Sequence, residues 1–171
     1  MVTLVVPKWY FTQICPTWSG YRDLPYRNEP FNDPESVDHW RQLGYTQTRF
    51  TGDMYDMRQA APDWMQHIEQ EFAWQHFSWS IYRMPPGTVL PCHSDTYARF
   101  RELHAITDPD RIWRAVIFLE PWHSGHYLEV NGVPVISWQA GDTVVWQSTT
   151  PHLAANVGVT DRYTLQITGV I

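Results

Sequence analysis

The chain has 171 residues, enough for one domain with a full core, and its ten Trp, nine Tyr and seven Phe make aromatic packing unusually abundant. Thirteen Pro argue against an all-helical bundle, and a net charge of -6 with only twelve Lys and Arg argues against nucleic acid as the main partner. The apolar run Val2–Val6 is too short for a signal-peptide core or a membrane span and stops at Pro7-Lys8, so a cytoplasmic protein without membrane attachment is expected.

The first 60 residues are loop-rich, with Pro, Gly, Asn and Asp scattered among aromatics. Asp33-Pro34-Glu35-Ser36 reads as a helix start, with Asp33 as N-cap and Pro34 at the first helical position, and the helix should stop at Gly44. Pro62-Asp63 starts a second helix, whose Trp64, Ile68 and Phe72 at helical spacing read as core. After Ala73 the period changes to two: Phe77, Trp79 and Ile81 share one apolar face, while Ser78, Ser80 and Tyr82 share a polar but uncharged one, as a lined cavity would. Pro85-Pro86-Gly87 turns the chain into Thr88–Asp95, residues 96–111 form an irregular charged excursion, and Trp113–Leu119 is an apolar strand. Tyr127–Ile136 reads as a hairpin about an Asn131-Gly132 type I′ turn. Thr143–Trp146, Pro151–Asn156 and Arg162–Val170 complete seven or eight short strands, which suggests a β-sandwich or jelly roll with the N-terminal helices packed outside one sheet. The expected organisation is a single domain over 1–171, with residues 1–75 as helical and loop support and 76–171 as the β core.

Chemistry concentrates at Cys92-His93-Ser94-Asp95. On an extended segment His93 and Asp95 point to one side, two thirds of the 2-His-1-carboxylate arrangement that suits non-heme Fe(II). Eight His and 18 acidic residues make about one His-x-acid spacing by chance, and His67/Glu69 is a second, but on a helix its side chains diverge. A third ligand is therefore required, and His152, at a strand start after the Ser148–Pro151 bend, is better placed than His104, His123 or His126. Ten residues on, Arg162, Thr164 and Gln166 share the face opposite the apolar Tyr163, Leu165 and Ile167. An Arg facing a cavity needs an anion, and its forked donors fit a carboxylate, with Thr164 adding a hydroxyl. Arg114 is a second anion-binding candidate, for a substrate carboxylate, although its apolar strand leaves its face open. Tyr82 either hydrogen-bonds a cosubstrate or lines the cavity, Asn156 is placed to orient a ligand from behind, and Trp146 reads as core. Cys15 and Cys92 read as free thiols, with Cys92 facing away from the metal.

The pattern His93-x-Asp95, His152, Arg162-x-Thr164 resembles the 2-oxoglutarate- and Fe(II)-dependent dioxygenases. Gly141–Trp146 through Pro151–Asn156 to Arg162–Leu165 is most similar to the aspartyl/asparaginyl β-hydroxylase and proline hydroxylase branch, over roughly residues 78–170. The resemblance implies a double-stranded β-helix (jelly roll, cupin-like) holding Fe(II) by His93, Asp95 and His152. It implies 2-oxoglutarate with its distal carboxylate on Arg162 and Thr164, and hydroxylation of a free amino acid or a residue in a peptide, with release of succinate and CO2. The β-hydroxylases named for Asp and Asn typically carry Gly where this chain has Asp95; Asp95 leans toward the prolyl or free-amino-acid hydroxylases and argues against halogenation. The contrasting expectations are a non-catalytic jelly-roll module for a carboxylate or sugar, and another metal-dependent cupin enzyme such as an isomerase.

Overall fold

A computed structural model describes residues 8–31 and 33–171; the Val2–Val6 run lies outside the described residues. Among the described residues, eleven strands form two antiparallel sheets. The larger sheet is ordered β1 (Trp9–Gln13), β9 (Asp142–Gln147), β6 (Ile112–Phe118), β11 (Arg162–Val170), β4 (Gln75–Met84), β3 (Thr51–Asp56), β2 (Arg27–Pro30). The smaller is ordered β5 (Thr88–His93), β10 (His152–Asn156), β7 (His126–Val130), β8 (Val133–Val135). This is a jelly roll, as the strand spacing predicts.

Period-two alternation gives the large sheet two different faces. Trp79 and Ile81 of β4, Ala115 and Ile117 of β6, Val145 of β9, and Leu165 and Ile167 of β11 point outward. Helix α2 (Met65–Glu71) and its flanks cover them with Trp64, Met65, Ile68 and Phe72. Tyr82, Met84, Val116, Phe118, Val144 and Trp146 point inward, against Leu128, Val130 and Ala154 of the small sheet. His67 and Glu69 fall on α2, as expected, where their spacing separates them.

Helix α1 (Pro34–Gln42) starts as predicted: Asp33 accepts hydrogen bonds from the Glu35 N–H (3.2 Å) and the Ser36 hydroxyl (2.7 Å). It ends at Leu43, before Gly44 at φ +105°. Its Trp40, only 1 % exposed, packs edge-on to the His93 ring, so this helix also walls the site. Asn131 and Gly132, at φ +52° and +76°, make the β7–β8 turn with the backbone a type I′ turn requires.

Three features of the structure differ from the sequence reading. Strands β1, β2 and β3 lie in the stretch expected to be loops, and β3 pairs with β4, so the large sheet crosses the expected division at residue 75. Strands β1 and β2 are the outer edges of that sheet and are mostly exposed, so neither shows an apolar alternation. Within the 96–111 excursion a six-residue helix, α3 (Ala98–Leu103), forms with no buried residue and no side-chain cap. Exposure removed the pattern in β1, β2 and α3; β3 is largely buried, but Gly52 and Asp53 break its apolar alternation.

Asn156 also differs from its expected role behind a ligand. Its amide donates to the carbonyls of Met84 (2.7 Å) and Thr160 (2.8 Å), and its oxygen accepts from the Gly158 N–H (3.1 Å). It is fully buried and ties the β10–β11 loop to the end of β4. Asn156→Ala is expected to lower unfolding free energy by about 1–3 kcal/mol in urea denaturation, by removing the buried bond to the Met84 carbonyl and the loop bonds to Thr160 and Gly158. Metal affinity should stay within about threefold of the parent, an outcome that a role behind a metal ligand would not give.

Candidate metal centre

His93, at the end of β5, and His152, at the start of β10, are direct cross-strand partners in the small sheet, with ring centroids 4.3 Å apart. The two segments are hydrogen-bonded neighbours, with an irregularity in register between His152 and Ala154. Asp95 lies just past the end of β5 and turns back to both rings: Oδ1 is 3.9 Å from His93 Nε2 and Oδ2 is 3.6 Å from His152 Nε2. One donor atom from each of the three residues lies within 4.8 Å of the others.

Protonation favours a cation here. His93 Nδ1 lies 2.7 Å from the Pro91 carbonyl and His152 Nδ1 3.0 Å from that of Thr150. Each carbonyl can only accept, so both Nδ1 atoms carry the proton and both Nε2 lone pairs face Asp95. Burial pulls the His152 imidazole down to about 4 and lowers that of His93, so both rings are neutral at neutral pH. Burial works to raise the Asp95 carboxyl, but the positive charge of Arg114, helped by the two imidazoles and the Tyr97 hydroxyl, holds it well below the usual carboxylate range. Two neutral imidazoles and one ionised carboxylate, all within reach of one point, can hold a divalent metal ion.

Arg114 faces inward, which its apolar strand had left open. Its Nη1 donates to Asp95 Oδ2 at 2.6 Å, and an Nη2 contact reaches Gln166. The Tyr97 hydroxyl donates to the same Asp95 oxygen at 2.9 Å and accepts from Arg114 at 3.1 Å. Both bonds fall on Oδ2, so Oδ1 carries none. The substrate role read for Arg114 thus meets a guanidinium already engaged with Asp95. Tyr97 was missed: it stands in the excursion at φ +48°, where no periodicity marks it. Phe31 and Trp40, whose rings lie 5.0 and 5.5 Å from His93, were also missed, because the segments carrying them meet the site only through tertiary packing.

Along the inner face of β11 stand Gln166, Thr164 and Arg162, as alternation predicts. Arg162 is 5 % exposed and Thr164 fully buried. Arg162 Nη1 donates to the Tyr127 carbonyl across the barrel at 2.7 Å, but its Nε and the Thr164 hydroxyl have no hydrogen-bond partner. Among the described residues no carboxylate pairs with Arg162. Burial lowers this guanidinium to about 10, partly offset by Tyr82, and it remains charged at neutral pH. Tyr82 is the cross-strand partner of Thr164, and burial raises its hydroxyl to about 12, keeping it protonated. Cys15 and Cys92 are free and exposed, as expected. No helix among the described residues is long and apolar enough to cross a membrane.

A model of the aspartyl/asparaginyl beta-hydroxylase family matches residues 22–170. Among solved structures, a Pseudomonas putida prolyl-4-hydroxylase is similar at 17 % identity and TM-score 0.53, covering 85 % of this chain and 91 % of its own. A predicted oxalate decarboxylase from Thermotoga maritima is similar at 16 % identity and TM-score 0.46, covering 72 % and 84 %. A cupin protein from Bacteroides fragilis is similar at 15 % identity and TM-score 0.40, covering 60 % and 73 %. At these identities the likeness is one of fold. No curated protein matches the sequence.

The depressed His152 has a measurable consequence. Its unfolded-state imidazole titrates near 6.5 and its folded one near 4, so between these values the unfolded chain binds the extra proton and stability rises with pH. The contribution is fully present above pH 6.5 and lost as pH falls toward 4, amounting to roughly 3 kcal/mol. Urea denaturation in EDTA between pH 7 and pH 4.5 should show that loss, and His152→Gln should flatten the slope.

Proposed function

Because the chain belongs to the aspartyl/asparaginyl β-hydroxylase family, we propose that it is an Fe(II)- and 2-oxoglutarate-dependent oxygenase that hydroxylates an amino acid, free or within a peptide. The observation that carries this reading is the pair of buried, unpartnered donors on Arg162 and Thr164 of the large sheet, facing the same barrel interior as a neutral-His, ionised-Asp metal site carried by the small sheet. A buried guanidinium without a carboxylate is costly, and a ligand carboxylate supplies what is missing. A metal site and an anion site in one barrel match a short dicarboxylate that chelates at one end and is clamped at the other.

In this reading His93, Asp95 and His152 hold the iron. When bound, iron and cosubstrate supply the oxygen activation and C–H hydroxylation, coupled to conversion of 2-oxoglutarate to succinate and CO2. The chain's own residues bind, orient and shield. Arg162 and Thr164 take the distal carboxylate, and the protonated Tyr82 hydroxyl stands beside Thr164 as a further donor. Arg114 and Tyr97 keep the Asp95 carboxylate ionised and aimed, with Oδ1 left clear of hydrogen bonds. The Pro91 and Thr150 carbonyls fix the imidazole tautomers, and Phe31 and Trp40 pack against the His93 ring. The partner implied is a small-molecule or peptide substrate, reaching the protein without nucleic acid or membrane.

Purified protein with Fe(II), ascorbate and 2-oxoglutarate should form succinate, and His93→Ala should abolish it. Absence of Fe(II) or Mn(II) binding in an anaerobic titration would sink the proposal. Metal binding without any 2-oxoglutarate binding would favour the non-catalytic module.

A second measurement separates clamp from metal site. Arg162→Met should weaken 2-oxoglutarate binding by at least about tenfold, as loss of a charge-assisted pair would, with Mn(II) affinity within about threefold. An isomerase-type cupin would keep its activity in this variant.

A further inference from the structure

The excursion that carries Tyr97 into the site is weakly built. Helix α3 has six residues, no buried side chain and no side-chain cap. A helix this short does not stand without tertiary contacts. Left-handed backbone brackets it, with Tyr97 at φ +48° and Ala105 at φ +53°. The two ends are tied to the barrel differently. At the first, the Tyr97 hydroxyl bonds Asp95 and Arg114. At the second, the His104 ring stacks on that of His76, with centroids 4.4 Å apart and planes 27° from parallel. Rings connect the two ends: Phe100 lies edge-on to Tyr97 at 6.4 Å and to His104 at 4.7 Å.

The barrel is shaped to make the second contact. Between the pairs Ser78–Thr168 and Gln75–Val170, β4 has two residues, His76 and Phe77, where β11 has only Gly169. This is a β-bulge, a device that re-aims a side chain. His76 occupies it at φ +56°, a conformation that strains any side chain and is adopted at little cost only by Gly. The contact made from this strained position is the stack on His104.

Both members of the stack are imidazoles, the side chain that ordinarily gains charge near about pH 6.5. Burial, and then the charge of His76, lower the His104 imidazole, so the closed stack holds fewer protons than a freed His104. By linkage the closed form is favoured above about pH 6.5 and loses ground as pH falls below it. Neighbouring charges do not offset this. On α3, Glu102 pairs with Arg99 at 2.7 Å and Arg101 donates to the Ile106 and Thr107 carbonyls. Across the sheet β11 presents Gly169 to the bulge, and Ile171 just beyond accepts from Arg111. Among the described residues no carboxylate, Glu71 at the end of α2 included, pairs with either ring.

We infer that the His76–His104 stack is a proton-released latch on the excursion. Neutral, it holds α3 against the barrel with Tyr97 on Asp95. Charged on both rings, it lets α3 go and withdraws Tyr97 from the site.

The test is amide hydrogen exchange by NMR on the full chain in EDTA, at pH 7.5 and pH 5.0. The reporters are the Arg101 N–H, bonded to the Tyr97 carbonyl at 2.8 Å, and the His104 N–H, bonded to that of Phe100 at 3.1 Å. After correction for intrinsic exchange rates, their protection should fall at least about fivefold at the lower pH, the effect of two unit charges about 4 Å apart in water. The Leu165 amide of the core should stay protected, because the opening is local. His104→Phe keeps a ring on His76 that cannot gain charge and should remove the pH dependence. His76→Asn, a residue that tolerates left-handed backbone, should remove it too and serves if His104→Phe folds poorly. Equal protection of α3 at the two pH values overturns the latch. So does a fall that persists in both variants, or one that Leu165 shares, since the opening would then be global. The protein is metal-free throughout, so the outcome is independent of the oxygenase reading.

Discussion

Asp95 and Arg114 meet at 2.6 Å inside the barrel, and each makes the other tolerable there. Alone, a buried Asp95 would be driven toward its neutral form, which is a poor metal ligand; alone, Arg114 would be a second buried cation beside Arg162. Together they keep one oxygen of the carboxylate tied to the protein and the other clear, while His93 and His152 stay neutral through burial. The excursion joins this arrangement through Tyr97, whose hydroxyl bridges the two side chains. A segment that looks like surface decoration thus reaches the centre of the site.

The large sheet supports this chemistry because each strand serves two environments. On β11, Tyr163, Leu165 and Ile167 join the outer core beneath α2, while Arg162, Thr164 and Gln166 face inward. A one-residue slip in pairing would place Arg162 under the helix and Leu165 in the cavity, so the same hydrophobic pattern that stabilises the outer layer fixes the register of the inner one. Close packing of the barrel wall is visible at Gly52 on β3: a Cβ there would fall 2.0 Å from the Tyr82 ring, so the absence of a side chain gives Tyr82 its place.

Legibility followed burial. Strands β4, β6, β9, β10 and β11 carry alternating or continuous apolar runs because at least one face is covered, and their limits were readable to within a residue or two. Strands β1 and β2 sit at the sheet edges, mostly exposed, and left no such trace. Asn156 shows the opposite error: its spacing from His152 placed it on the right face, but spacing does not reveal that backbone carbonyls claim its amide. Trp146 reads as core and is core; that its indole N–H lacks an acceptor is a property of the atoms around it.

By itself the sequence determined the jelly-roll class and the two faces of β4 and β11, and it singled out His93, Asp95 and His152, whose donor atoms the fold brings together, with Arg162 and Thr164 as inward candidates on β11. Each follows from a local rule: the two-residue period of strands, the turn preferences of Gly, Asn and Pro, and the small set of side chains that ligate metals or clamp carboxylates. Tertiary structure alone decided that His93 and His152 are neighbours in one sheet, that Arg114 points inward onto Asp95, and that Tyr97, Phe31 and Trp40 complete the surroundings. Those facts depend on which strands lie side by side and where an irregular loop returns, and such contacts between residues distant in sequence leave no period in the chain.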